Sequence, residues 1–164
     1  MANSPAYQAV QEQIRALAQF YRTYSAESAR QERERRSGLG WLGEFFSSDR
    51  RFSNDEMHTR FYEEVRARIQ VLAEAIGALP ETEARQAAMQ AVDILFDPVK
   101  PDERDTAGWM RFAAEPLCEP LLRYLDRPTL ETLYRRYNEV YPKRLQFPAQ
   151  VKLRREMERL LRQA

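Results

Sequence analysis

Apolar residues in this chain recur every three or four positions, and no segment alternates apolar with polar residues as a half-buried strand would. That regularity confines the fold to packed helices. Along the first of them Tyr7, Val10, Ile14, Leu17, Tyr21 and Tyr24 follow at intervals of 3, 4, 3, 4 and 3, a heptad-like seam down one face. Ser4 before Pro5 marks its start: the hydroxyl caps, and proline at the first helical position gives up an N–H that has no intrahelical partner there. About three heptads favour a contact inside one bundle over a coiled-coil dimer. Self-association through this helix remains the second option.

The seam fades at Ser28 into a solvated run in which six of the seven residues from Arg30 to Arg36 are charged. Three of the chain's five glycines then follow at positions 38, 40 and 43, interleaved with Leu39, Trp41, Leu42, Phe45 and Phe46. Each glycine costs about 1 kcal/mol in a helix interior, so the first helix should end near residue 37. Residues 38–52 read as a glycine and aromatic strap whose large side chains must cover something, either the bundle itself or a partner or membrane surface. After it, Ser53 with Glu56 forms a capping box and Phe52 with Met57 a hydrophobic staple, which predicts that the second helix starts at Ser53. Its apolar face is Met57, Phe61, Val65, Ile69, Leu72 and Ile76, and Gly77 before Pro80 reads as its C-terminal stop.

A third helix is predicted from Glu81 to Phe96, with Ala84, Ala88, Ala91 and Leu95 in one row and Ala87 and Ile94 beside it. Pro98 and Pro101 end it in a loop, and a short helix near Asp105 carries Trp109, Met110 and Phe112. Pro116 and Pro120 leave Leu117 to Leu125 as either a further short helix or a kinked continuation. Pro128 restarts a helix through Tyr141 with Leu130, Leu133, Tyr137 and Val140 inward, and Pro148 opens a last one with Leu153, Met157 and Leu160 inward. The expected architecture is all-α: a single-domain bundle of five to seven helices, its C-terminal half segmented by prolines, with 1–37, 38–52 and 53–164 as its parts.

At 164 residues the chain can bury a core without metals or disulfides. It shows no run long enough to span a membrane and no basic and apolar leader pattern, and a single cysteine, Cys118, fits a reducing compartment, so a cytoplasmic location is expected. Net charge is +1, yet the distribution is uneven. Glu63 to Glu115 holds 11 acidic and 6 basic residues, whereas Leu117 to the C-terminus holds 6 acidic and 11 basic. Such halves can attract each other or mark a face for an acidic partner or nucleic acid.

Catalytic chemistry finds little material. His58 is the only histidine and reads as a surface side chain in the first turn of the second helix. The chain holds neither a paired-cysteine motif nor a Glu-x-x-His pair, so no metal and no cofactor are expected. Asp93, Asp97, Asp102, Glu103 and Asp105 gather around the proline loop, but Lys100 and Arg104 lie among them and the spacing fits no calcium loop. The glycine segment lacks the lysine of a phosphate cradle.

The basic C-terminal part is the feature that most resembles a site. Lys152, Arg155, Arg159 and Arg162, spaced 3, 4 and 3, line one stripe of the last helix opposite Leu153, Met157 and Leu160. Like charges so placed repel by a few tenths of a kcal/mol per pair, which something should offset. The expected function is that of a non-enzymatic helical interaction protein, an adaptor, regulator or inhibitor. Its protein partner would be bound through Trp41, Leu42, Phe45 and Phe46, through the stripe, or through both. The alternative is a nucleic-acid accessory protein in which Arg135, Arg136, Lys143 and Arg144 join the stripe to bind phosphates.

Overall fold

The computed structural model describes residues 3–36, 48–96, 114–140 and 148–163, and the regular structure among them is all helical. Five are α-helices: α1 (Pro5–Arg36), α2 (Ser48–Gly77), α3 (Glu81–Leu95), α4 (Arg127–Val140) and α5 (Pro148–Gln163). A 3-10 helix, Glu115–Tyr124, lies between α3 and α4 in the chain. The all-α bundle read from the apolar spacing is the observed fold. The aromatic strap residues Trp41, Leu42, Phe45 and Phe46, the proline loop, the segment with Trp109, Met110 and Phe112, and Lys143 and Arg144 lie outside the described residues.

The seam of α1 is buried as its spacing demands: Tyr7, Val10, Ile14, Leu17 and Tyr21 are all core residues. Its start is fixed twice. The Tyr7 amide donates to Ser4 Oγ at 3.1 Å, the expected cap, while the Ser4 amide and hydroxyl donate to the two carboxylate oxygens of Glu83 at 3.2 and 2.8 Å. The cap therefore also ties the head of α1 to the first turn of α3. Farther along α1, Phe20 and Tyr24 stack on Phe61 of α2 with centroids 5.7 and 4.2 Å away, and the Arg68 guanidinium lies 5.1 Å from the Phe20 ring centre. Burial pushes the Tyr24 phenol up to about 12.

α2 begins at Ser48, five residues before the capping box places it. A capping box shows where a helix can start, but propagation adds a hydrogen bond for each further residue at no new nucleation cost. The helix here runs through it. Of the predicted inward face, Phe61, Val65, Ile69, Leu72 and Ile76 are buried, and the Met57 side chain lies outside the described residues. Gly77 differs in its role. No described glycine has positive φ, so Gly77 is no left-handed cap. It is the last residue of α2, and the chain leaves through tight bonds from the Ala78 and Leu79 amides to the Ala75 and Ile76 carbonyls. A Cβ on Gly77 would lie 2.7 Å from the Tyr124 hydroxyl oxygen, so the glycine makes room for the 3-10 helix.

That 3-10 helix resolves the proline-segmented stretch. In α-helical winding the Pro120 ring would press on the carbonyl four residues back, and it has no N–H to offer. Winding at three residues per turn brings Glu115, Cys118 and Leu121 into one row, and all three are fully buried. Ten residues is long for this geometry. Packing explains its persistence, because α2, α3 and α5 all contact it. α1 closes over α2 and α3, and α5 in turn carries α4. The alanine row of α3, Ala84, Ala87, Ala88 and Ala91, is buried and lets its neighbours approach closely.

The start of α4 is capped by Asp126, whose carboxylate accepts from the Thr129 amide at 3.0 Å. Hydrogen bonds from Thr129 hold this carboxyl below the usual carboxylate range. The ion pairs Glu64–Arg68, Glu81–Arg85, Arg127–Glu131 and Glu156–Arg159 each close within about one turn of their own helix. They stiffen elements; they do not join the acidic middle to the basic C-terminal part.

Candidate functional site

The stripe on α5 is built by the two faces of that helix. Gln150, Leu153, Arg154 and Met157 are buried, and this inward arc turns Lys152, Arg155, Arg159 and Arg162 outward, where all four are exposed. At about 100° per residue the four fall within a sector of about 80°, and ten residues from Lys152 to Arg162 span about 15 Å. Together with Pro148, Val151, Glu156 and Glu158 they line an open depression of about 530 Å³ on the outer side of the helix.

Within the stripe the four cations are not equivalent. Arg159 grips Glu156 with two nitrogens, at 2.9 and 2.5 Å, and reaches Gln163 at 3.0 Å. The hydrogen bond from Arg159 holds the Glu156 carboxyl below its usual range, so this pair is a neutral unit at ordinary pH. Glu158 accepts from the Tyr134 hydroxyl of α4 at 2.8 Å. Both interleaved glutamates are therefore engaged. Lys152, Arg155 and Arg162 make no hydrogen bond or ion pair among the described residues.

Arg135 and Arg136 are exposed on α4, but neither lines the depression. Of the six described cations among the eight assigned to a nucleic-acid surface, four line this one face, and one of those four is neutralised. Asp93 is exposed on α3, and its companions in the acidic group lie outside the described residues. Among the described residues no three His, Cys, Asp or Glu side chains come together as metal ligands. The His58 side chain also lies outside them.

Under the stripe is a polar cluster that the sequence reading missed. Glu115 is fully buried, Gln150 and Arg154 nearly so, and Tyr137 between them is inaccessible to solvent. The Tyr137 hydroxyl donates to the Gln150 carbonyl at 3.1 Å, and the Arg154 guanidinium lies 5.4 Å from its ring centre. Burial first, and then the Glu115 carboxylate, push the Tyr137 phenol up, while Arg154 acts against them. The same two causes, in the same order, push up the Cys118 thiol, which is fully buried. A signal existed: positions 150, 153, 154 and 157 follow the 3, 1, 3 rhythm of a core-facing stripe, which places Gln150 and Arg154 inward despite their polarity. This cluster anchors α5 to α4 and the 3-10 helix and so fixes which face α5 turns outward. No helix among the described residues is long and apolar enough to cross a membrane. Comparison with protein-family models, with curated proteins and with solved structures returned no match.

Proposed function

We propose that the chain is a non-enzymatic helical protein that binds another protein through the cationic outer face of α5. One observation carries this reading: Lys152, Arg155 and Arg162 share an exposed face without an ion pair among the described residues, while the two glutamates between them are occupied. An acidic protein surface would relieve the repulsion along that face and could pack on Pro148 and Val151 at its edge. The buried Cys118 thiol, pushed up and shielded, is a poor nucleophile, which favours binding over covalent chemistry.

Magnitude separates the protein reading from the nucleic-acid one. The three α5 cations without an ion pair among the described residues neutralise about three phosphates and give a log–log salt slope of about −2.7, against the six to ten contacts of a strong binder. Nucleic acid held this way dissociates at physiological salt. The test compares the full chain with the double variant Arg155→Glu/Arg162→Glu, each checked for helicity by circular dichroism. The wild type should retain a protein from an extract of its source cell that the variant does not. Labelled single-stranded and duplex DNA should bind weakly with a shallow salt slope. A slope steeper than about −5, abolished by the charge reversal, would give the face to nucleic acid. Retention of the same protein by both chains would remove the face from the function.

A further inference from the structure

The charge pattern along α5 specifies more than an acidic partner. From Lys152 to Arg162 the face reads two cations without an ion pair among the described residues at 152 and 155, of which Lys152 also acts at longer range on Glu156, then a neutral Glu156–Arg159 pair and one more such cation at 162. These charges are thus separated by three and seven residues, about 4.5 and 10.5 Å along the helix. An extended peptide presents side chains on one face about every 6.6 Å and cannot match both intervals. A second α-helix repeats them. Resting on the reading of this face as protein-binding, we infer that its occupant is an acidic helix laid antiparallel to α5. That helix carries one carboxylate opposite Arg162 and two more, seven and ten residues later, opposite Arg155 and Lys152. The positions three and six residues after the first carboxylate face Arg159 and Glu156 and are uncharged, since an acid there would meet Glu156.

The antiparallel direction follows from helix dipoles, which attract when neighbouring helices run in opposite senses. From Lys152 to Arg162 the exposed face extends about 15 Å along α5, the length of about three turns of a partner helix. Complementarity of charge, with a register set by two unequal intervals, is what distinguishes this occupant from a generally acidic surface.

Three labelled, capped, alanine-rich peptides of equal charge test the register against the full chain by fluorescence anisotropy at low salt. One carries glutamates at the matched spacing, one has them dispersed around the helix, and one keeps the matched spacing but has a central proline. The matched peptide should bind about tenfold more tightly than either control, the amount three exposed ion pairs supply together. Arg155→Glu/Arg162→Glu should abolish that advantage. Equal binding of all three peptides, lost on charge reversal, would overturn the helical partner while leaving the basic face as a protein-binding surface. Binding of the matched peptide that charge reversal leaves unchanged would overturn the face itself.

Discussion

Arg154 is nearly fully buried, with its guanidinium 5.4 Å from the Tyr137 ring centre, and it acts on that phenol in the sense opposite to Glu115. Arg154→Ala removes the packing of that buried side chain on Tyr137 and should lower stability by about 0.5–3 kcal/mol in urea denaturation. Arg154→Met together with Glu115→Gln should cost less than the sum of its single variants, by about 1 kcal/mol or more. Strict additivity would show that the two charges do not share an environment. The tyrosines give a second measurement. Tyr24, at about 12, and Tyr137 are both raised above the ordinary phenol value, so above about pH 10 the unfolded chain releases protons that the folded chain keeps. Stability contributed by their neutral forms is present below pH 10 and is lost as pH rises toward the folded values. Denaturant midpoints should fall across that interval, and less steeply in Tyr24→Phe. In absorbance titration of the folded protein, Tyr24, Tyr134 and Tyr137 should all ionise above the ordinary phenol value.

Gly77 and Tyr124 join two elements through a space, and the space can be titrated. Alanine is favoured over glycine in a helix by about 1 kcal/mol, but here its methyl meets the Tyr124 hydroxyl. Gly77→Ala should therefore be neutral or destabilising in the wild type. In Tyr124→Phe the nearest ring carbon is 3.7 Å away, and the same change should stabilise by about 1 kcal/mol. Equal effects in the two backgrounds would mean that Tyr124 yields without cost. This contact also shows where the sequence stops being readable. The inward faces of α1, α2 and α3 could be read because apolar spacing is a local property that tertiary packing merely uses. The role of Gly77 could not, since a helix stop and a seat for a distant ring look alike along the chain. Pro116 and Pro120 interrupt regular α-winding but do not choose between a further short helix and a kinked continuation, and neither reading named the 3-10 winding that packs against three other helices. In the candidate site, the stripe was visible in the spacing of Lys152, Arg155, Arg159 and Arg162. Which cations lack an ion pair among the described residues was not, because it depends on Arg159 reaching Glu156 and on Tyr134 reaching across from another helix.

Across the whole molecule, one core is built from both ends of the chain, and Ile69 lies in it with 2% of its surface exposed. Ile69→Ala should cost about 2–5 kcal/mol in urea denaturation, and a loss below 1 kcal/mol would show that the α2 face is not core. The Ser4–Glu83 bonds close a separation of 79 residues, so the docking of α1 belongs with the late, non-local steps of folding. At the other end α4 is backed chiefly by α5. Its backbone amides should therefore exchange with deuterium through partial opening of the C-terminal pair, well before those of α2 and α3, which require global unfolding. A ligand seated on the outer side of α5 stabilises every state in which α5 remains docked. The slowed exchange it causes would then appear in α4 as well, on amides that the ligand never touches.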